Sequence, residues 1–265
     1  MYRIALGLEY DGATFSGWQA QSSPQIETVQ ENLEAALSRI AAHPIKTICA
    51  GRTDAGVHAI NQVVHFDSPV NRGIKAWSTG VNSLLPPSIR VIWAQDVDSG
   101  FNARFSAMAR NYKYLVYCHK TERPMLWKKA VRVSQKLDIS AMNAAAACLI
   151  GEHDFSAFRG AGCQSKSPYR RVIDANWTSR GAFLIFSIKA NAFLLHMVRN
   201  IVGSSLDIGK GIKESNWFLE LLDGGERSSA GVTAPSDGLY LVDVDYPKAY
   251  GIPKGMTLPL FFSEG

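Results

Sequence analysis

The sequence predicts an α+β fold in which two similar α/β halves share a mostly antiparallel sheet flanked by helices. Segments with a period of two alternate along the 265 residues with segments of helical period. The order strand, helix, strands, helix, strand occurs in the first 100 residues and occurs in much the same form again afterwards, although the residues themselves show no repeat. We therefore expect two domains, residues 1–100 and 101–265.

The elements of the first half follow from local patterns. Tyr2 to Tyr10 alternate apolar and polar side chains, which predicts a half-buried strand that ends at Asp11-Gly12. A helix is expected from Gln25 to His43-Pro44, with Thr28 and Glu31 as a capping box. The remaining expected elements are strands at Lys46–Ala50 and Asn61–Asp67, a short helix at Lys75–Ser83 and a strand at Ile89–Asp98.

The second half begins after Ser99-Gly100 with an alternating strand from Tyr112 to Cys118. Asp138 precedes a helix that continues to Ile150. The elements expected after it are strands at Arg171–Ser179 and Ala182–Ala190, helices at Leu194–Ile208 and Asn216–Leu222, and a last strand at Leu239–Asp243.

Composition excludes several classes of protein. Hydrophobic residues make up 46% and charged residues 19%, which is typical of a globular protein and unlike a disordered chain or a coiled coil. The four cysteines lack zinc-ligand spacing, so we expect reduced thiols and no metal. A secretion signal and an apolar run of about 18 residues are both missing, which predicts a cytoplasmic protein. The net charge of +5 favours a polyanionic partner without requiring one.

The loop Gly51 to Ala59 carries the densest chemistry of the sequence. It places two glycines, a cation, an anion and an imidazole between two predicted strands. Taken alone, this pattern is equally typical of a solvated surface turn, because Asp-x-Gly is common turn chemistry.

The segment Arg52 to Ala59, RTDAGVHA, resembles the signature of the TruA-type tRNA pseudouridine synthases. Further segments resemble the same family in order, so that the resemblance runs from Tyr2 to about Tyr250: RNYKY at 110–114, GEHDFSAFR at 151–159, KANAFLLHMVRNIVG at 189–203 and GLYLV at 238–242. The resemblance implies a pseudouridine synthase fold with a central active-site cleft. It also implies isomerisation of uridine to pseudouridine in the anticodon stem-loop of tRNA, at positions 38, 39 and 40, by a homodimer without a cofactor.

By this resemblance Asp54 is the nucleophile. The family breaks the bond between C1′ and N1, turns the uracil and rejoins it through C5, so the reaction requires mainly a positioned carboxylate and a shielded pocket. A free carboxylate is ionised at neutral pH and needs no general base. It does need a neighbour that offsets its charge once water is excluded.

Arg199 is the candidate for that neighbour. On the predicted helix it lies four residues after Leu195 and three before Val202, which places it on the less polar face. A long basic side chain can also extend from such a position to water. A buried arginine requires an anion, and the family places the matching arginine in its active site, so we expect Arg199 to pair with Asp54.

The other candidate site residues also rest on the resemblance. Tyr112 should stack on the target base, Leu239 should pack beside that base, and Arg52 should help to extrude the target nucleotide. From pattern alone, Tyr112 and Leu239 are equally typical of a core, and Arg52 of a solvated turn. His58 has no clear task in the reaction, and a hydrogen-bonded structural role is expected.

Three groups of basic residues suit contacts with tRNA phosphates, although each could be an ordinary solvated face: Arg104, Arg110 and Lys113; Lys128, Lys129 and Arg132; Lys166, Arg170 and Arg171. Two other functions fit parts of the sequence. A non-catalytic tRNA-binding protein would gain nothing from Asp54 in a groove that attracts phosphate. A metal-dependent nuclease or phosphatase would use Asp54 with Asp67 or Asp11, but these acids form no recognised metal motif.

Overall fold

The computed structural model describes residues 1–21, 27–255 and 259. The chain folds into two compact units, one of Met1–Arg110 with the segment from Tyr240 onward, and one of Asn111–Leu239. Each unit contains a sheet and helices, which confirms the α+β class. Within the described ranges, no helix is long and apolar enough to cross a membrane.

The strands and helices are numbered in chain order. The strands are β1 (Tyr2–Tyr10), β2 (Ile48–Cys49), β3 (His58–Ser68), β4 (Ile89–Val97), β5 (Ala109–Cys118), β6 (Val131–Val133), β7 (Gly151–Asp154), β8 (Tyr169–Arg180), β9 (Phe183–Ala190) and β10 (Leu239–Asp245). The helices are α1 (Val29–Ala41), α2 (Ile139–Ala147), α3 (Met197–Gly209) and α4 (Trp217–Leu222).

The sheet of the first unit has the order β4-β1-β3-β10, with β2 beside β3. Strand β1 is antiparallel to both neighbours, whereas β10 runs parallel to β3 and pairs Tyr240 with His58. The alternation of β1 predicted one buried face, but the middle of the strand is buried on both faces. The reason is Trp93, whose indole covers Gly7 so closely that a Cβ there would lie 2.0 Å from Nε1.

Helix α1 begins as its capping residues predict. The hydroxyl of Thr28 accepts a hydrogen bond from the N–H of Glu31 at 3.3 Å and donates one to the Glu31 carboxylate at 2.6 Å. The helix ends at Ala41, where Ala42 adopts φ 59°, just before His43-Pro44. The predicted start at Gln25 lies outside the described residues, and the helix begins only at Val29, after Thr28 in an extended conformation.

The sheet of the second unit has the order β5-β9-β8-β7, with β6 beside β5. Helix α2 is tied to β8 because the Asn143 carboxamide bonds both the N–H and the carbonyl of Trp177, at 2.8 and 2.9 Å. Helix α3 lies close to α2, since a Cβ at Gly209 would be 2.5 Å from the sulfur of Met142. These contacts fix the helix that carries Arg199.

Several boundaries differ from the predicted ones. Strand β2 is only Ile48–Cys49 instead of Lys46–Ala50, and β3 begins at His58 because β10 extends its pairing. Helix α3 begins at Met197 rather than Leu194, since His196 takes the left-handed conformation, φ 58°, that precedes the first turn. The short helix expected at Lys75–Ser83 has a π-helical core at Ala76–Gly80.

Candidate active site

Asp54 lies in the turn that leads from β2 into β3. Its carbonyl accepts a hydrogen bond from the N–H of Val57 at 3.1 Å, and Gly56 supplies the positive φ of 79° that this tight turn requires. Asp54 itself is half-buried. The turn therefore holds the carboxylate on a short, backbone-bonded segment.

A second segment, residues 12–18, clamps this turn from outside. The N–H of Trp18 donates to the carbonyl of Thr53 at 3.0 Å, and the N–H of Gly56 donates to the carbonyl of Phe15 at 3.2 Å. The Tyr10 hydroxyl lies 2.7 Å from that of Thr53. Asp54 thus sits between two residues, 53 and 56, whose backbone positions are fixed by another part of the chain.

Two glycines make this close approach possible. A Cβ on Gly12 would lie 2.0 Å from the carbonyl oxygen of Val57, and a Cβ on Gly17 would lie 2.8 Å from that of Thr53. Gly17 also has φ 98°. The two backbones touch at these points, so any side chain there would separate the clamp from the turn.

His58 acts as part of the same scaffold. Its ring is buried, its Nδ1 accepts a hydrogen bond from the N–H of Gly12 at 3.1 Å, and it stacks on Tyr240 with ring centroids 4.6 Å apart. These are the contacts of a structural histidine, as the sequence predicted.

Arg110 supports the turn from its other end. Its guanidinium donates to the carbonyl of Ala50 through Nη2 at 2.8 Å and Nε at 3.2 Å, and Nη2 also reaches the carbonyl of Arg104 at 2.7 Å. The sequence left Arg110 open between a phosphate contact and a solvated face; in the structure its guanidinium joins the backbone at Ala50 to that at Arg104. Arg52, by contrast, is exposed.

Positive charge gathers around the buried thiol of Cys49. Burial raises the pKa of this thiol to about 12, while Arg52, Arg104 and Arg110 act in the opposite direction. All three guanidinium groups are therefore close enough to Cys49 to act on its thiol, and the turn before Asp54 lies in a positive electrostatic environment.

Tyr112 and Leu239 belong to the second unit. The Tyr112 ring is 8% exposed and meets the ring of Phe193 edge-on, with centroids 5.0 Å apart. Leu239, 5% exposed, is the first residue of β10. Gly238 before it is in close contact with β5, because a Cβ there would lie 2.7 Å from the carbonyl oxygen of Leu115.

Arg199 is half-buried in the first turn of α3. Its Nε donates to the carbonyl of Ala234 at 2.8 Å, and its own carbonyl accepts from the N–H of Ala234 at 3.1 Å. The next residue, Pro235, accepts a hydrogen bond from the buried Tyr114 hydroxyl at 2.7 Å. Residues 234–239 therefore connect Arg199 to Leu239 along one short segment.

A polar network, which we call the brace, presses this segment against α3. Its centre is Thr233, whose hydroxyl donates to Asn200 Oδ1 at 2.6 Å and accepts from Arg227 Nη2 at 2.9 Å. Gly203 allows close contact, because a Cβ there would lie 1.8 Å from the carbonyl oxygen of Val232. The brace could not be predicted from local patterns, because its members lie up to 33 residues apart.

Among the described residues, no group of three or more His, Cys, Asp or Glu is arranged to hold a metal ion. The predicted site residues divide between the units, with Arg52 and Asp54 in the first and Tyr112, Arg199 and Leu239 in the second. Sequence reasoning missed Gly12, Gly17 and Arg110 as supports of the Asp54 turn. An Asp-Gly pair directly after a strand was the signal for Gly12, but it was assigned only to a strand end.

Comparison with known proteins identifies the relatives of this chain. The tRNA pseudouridine synthase family matches residues 8–106 and 145–247. The tRNA pseudouridine synthase A of Aeromonas hydrophila is 50% identical over 262 residues, covering 99% of this chain and 97% of the relative. The proteins of the same name from Aeromonas salmonicida and Escherichia coli O1:K1 are 49% and 48% identical, with 97% of each relative covered. A chain of a solved Cbf5-Nop10-Gar1 complex aligns over 76% of this chain and 54% of its own length. At 10% sequence identity and a TM-score of 0.30, this likeness is too weak to support an argument.

Proposed function

The chain belongs to the tRNA pseudouridine synthase family, and from that premise we propose that it isomerises uridines 38, 39 and 40 in the anticodon stem-loop of tRNA. Asp54 is the nucleophile, and the reaction uses no cofactor. The observation that carries the proposal is the clamped turn, in which backbone hydrogen bonds to Thr53 and Gly56 flank the carboxylate-bearing residue.

The chemistry suits such a turn. The Asp54 carboxylate attacks the target nucleoside and bonds to it, and the bond between C1′ and N1 breaks. The uracil then turns and rejoins the sugar through C5, and the bond to the carboxylate breaks, which regenerates Asp54. The proton on C5 is released and N1 gains one, so the atoms of the nucleoside balance without an outside group. A nucleophile held in place supplies much of the advantage of an intramolecular reaction, which depends on orientation to within about 1 Å.

We propose that Arg199 offsets the charge of Asp54 when the substrate excludes water. The support is its half-buried position and the bond from Nε to Ala234, which directs the guanidinium. Tyr112 stacks on the uracil, Leu239 packs beside it, and Arg52 helps to extrude the target nucleotide and holds its backbone. In this proposal residues 1–100 carry the catalytic loop and residues 101–265 complete the active site.

We further propose that the protein acts in the cytoplasm as a homodimer, with tRNA lying across both subunits. The support is the family resemblance and the net charge of +5, which favours a polyanion. Light scattering of the protein with and without tRNA tests the subunit number.

The test of the reaction uses unmodified tRNA whose uridines carry tritium at C5. Wild-type protein should release tritium, because C5 loses its hydrogen when it bonds to the sugar. Asp54→Ala and the isosteric Asp54→Asn should bind the tRNA and release none. Transcripts with uridine removed from positions 38, 39 and 40 serve as the substrate control.

The outcome separates the proposal from its alternatives. Binding without tritium release by wild-type protein would indicate the non-catalytic tRNA-binding protein. Cleaved RNA that requires a divalent cation would indicate a nuclease. Tritium release by Asp54→Asn at the wild-type rate would remove Asp54 from the reaction.

A further inference from the structure

The loop that follows β4 in the first unit presents an aromatic ring and a guanidinium together at the surface. The ring of Phe105 is 77% exposed, and the guanidinium carbon of Arg104 lies 5.3 Å from its centroid. A single exposed phenylalanine is not unusual in itself. This phenylalanine is unusual because hydrogen bonds hold the backbone of its loop in one conformation.

The backbone of this loop is fixed by its own side chains. Asn102 Oδ1 accepts hydrogen bonds from the N–H groups of Arg104 and Phe105, both at 3.0 Å. Ser106 closes the loop, since its N–H donates to the Asn102 carbonyl at 2.8 Å and its hydroxyl accepts from the Asn102 N–H at 3.0 Å. The exposed ring therefore projects from an ordered backbone, not from a chain end that could fold away.

Ala103 anchors the same loop in the core. Its N–H donates to Nδ1 of the buried His65 at 3.1 Å, and its carbonyl accepts from the Tyr246 hydroxyl at 2.6 Å. A stacking surface held in this way loses little conformational freedom when a ligand binds, which favours affinity.

Arg110 joins this loop to the turn that carries Asp54. One nitrogen, Nη2, donates both to the Arg104 carbonyl and to the Ala50 carbonyl, at 2.7 and 2.8 Å. Ala50 precedes Asp54 by only four residues. The Phe105 ring and the Asp54 turn are therefore parts of one hydrogen-bonded scaffold in the first unit.

The positive charge in this region favours an anion. Arg104 lies beside the ring, and Arg52, Arg104 and Arg110 all lower the pKa of the Cys49 thiol against the effect of its burial. Across residues 1–21 and 27–255, neither Arg52 nor Arg104 forms an ion pair with a carboxylate. An exposed ring beside a guanidinium group that has no carboxylate partner in the described part of the chain is the combination that binds unpaired nucleotides, with the base on the ring and the phosphate on the arginine.

We propose that Phe105 and Arg104 form a second nucleotide subsite, which stacks an unpaired base of the tRNA next to the extruded uridine. Arg104 and Arg52 hold the phosphates between the two nucleotides. The subsite sets the distance between the stacked base and Asp54, and so it selects which uridine of the loop enters the active site.

A second copy of this chain is a poorer occupant of the same surface. In a two-fold symmetric contact the same patch lies on both partners. The arginines around Phe105 would then face one another, and like charges at an interface oppose association. An RNA loop, in contrast, supplies both the flat ring and the negative charge.

The proposed subsite rests on the proposed function, and a separate measurement tests each of the two. Tritium release by wild-type protein tests the function. The subsite is tested by binding of the anticodon stem-loop RNA to the full-length Asp54→Asn protein, in which no turnover disturbs the equilibrium. The RNA carries 2-aminopurine at one loop position at a time, because stacking changes the fluorescence of this base.

Phe105→Ala in that background should weaken binding by about 5-fold to 150-fold, the range expected for one lost base stack. The 2-aminopurine signal should disappear at one loop position only. Phe105→Trp should keep affinity within about twofold and retain the signal, whereas Phe105→Leu, apolar but without a π face, should behave like alanine. Tyr2→Ala removes another exposed aromatic side chain of the first unit and should change neither reading.

Unchanged affinity and signal in Phe105→Ala would overturn the subsite, even if wild-type protein forms pseudouridine. An altered subunit number by light scattering with unchanged RNA binding would assign Phe105 to a contact between copies and would also overturn it. Restoration of binding by leucine would show that the ring provides only apolar area and would contradict base stacking.

Discussion

Gly12→Ala is the substitution that the clamp makes most informative. Gly12 lies outside the left-handed region, so its own backbone conformation accepts a side chain, but the new Cβ would lie 2.0 Å from the Val57 carbonyl oxygen. To restore an ordinary contact of 3.4 Å, the clamp and the Asp54 turn must separate by about 1.4 Å. A displacement of that size at a reacting group costs on the order of 100-fold in rate, or about 2.7 kcal/mol of barrier.

The assay is tritium release under single-turnover conditions, with thermal unfolding measured in parallel. Gly12→Ala should lower the rate about 100-fold, while overpacking costs only about 1–3 kcal/mol of stability. Gly73→Ala is the matched control, because Gly73 has φ 76° but a Cβ there meets nothing within 4 Å. It should lose about 1–2 kcal/mol of stability through its backbone and keep its activity. If both variants lost activity in proportion to stability, the clamp would not position Asp54.

Three further predictions concern the rest of the molecule. Thr233→Val breaks the brace, because Asn200 Oδ1 loses the hydroxyl that donates to it at 2.6 Å. The kcat should fall with KM unchanged, and Thr233→Ser, which keeps the hydroxyl, should retain the wild-type kcat. A change in KM alone would contradict a role of the brace in positioning Arg199. Burial raises the pKa of the Cys163 thiol, but hydrogen bonds from backbone N–H groups and a guanidinium keep it below its usual value, whereas burial raises the pKa of Cys49 to about 12. Iodoacetamide at pH 7.5, about one unit below the pKa of a free thiol, should therefore label Cys163 before Cys49. Mass spectrometry of the labelled protein measures the order, and earlier labelling of Cys49 would contradict the prediction. Burial, with a nearby arginine, lowers the pKa of His65 from 6.5 to about 4, so the unfolded chain binds a proton here at a higher pH than the folded chain does. The contribution of His65 to the free energy of unfolding should therefore be fully present above pH 6.5 and decline as the pH falls towards 4. Denaturant titrations should show this slope in the wild-type protein and not in His65→Gln.

Local patterns predicted the elements whose cause is local. The capping pair Thr28 and Glu31 begins α1 because both partners lie within one turn. The alternation of β1 predicted a strand but only one buried face, since the covering Trp93 is 86 positions from Gly7 and period two carries no information about it. The start of α3 was placed three residues early because helical spacing cannot reveal the left-handed His196.

The candidate site shows the same division. The segment around Asp54 was found by resemblance, and its catalytic role stays a prediction. The partners of the clamp could not be predicted, because its hydrogen bonds join backbone groups about 40 positions apart, and the Asp-Gly pair at its start does not reveal which segment it contacts. Arg110 was expected at a tRNA phosphate or on a solvated face, and its contacts with backbone carbonyls could not be foreseen, because an arginine that binds carbonyls has the same sequence appearance as one that binds RNA.

The parallel pairing of β10 with β3 has a consequence for biosynthesis. Tyr240 meets His58, so the strand that leaves the Asp54 turn gains its last neighbour only after 182 further residues have been made. At about 5–20 residues per second, that interval is roughly 10–35 seconds on the ribosome. During it the start of β3, at His58 and Ala59, lacks its β10 partner and can join another nascent strand. A chain released before residue 240 would keep Asp54 in its sequence but lack the strand beside His58, so premature termination should yield aggregates and no partially active enzyme.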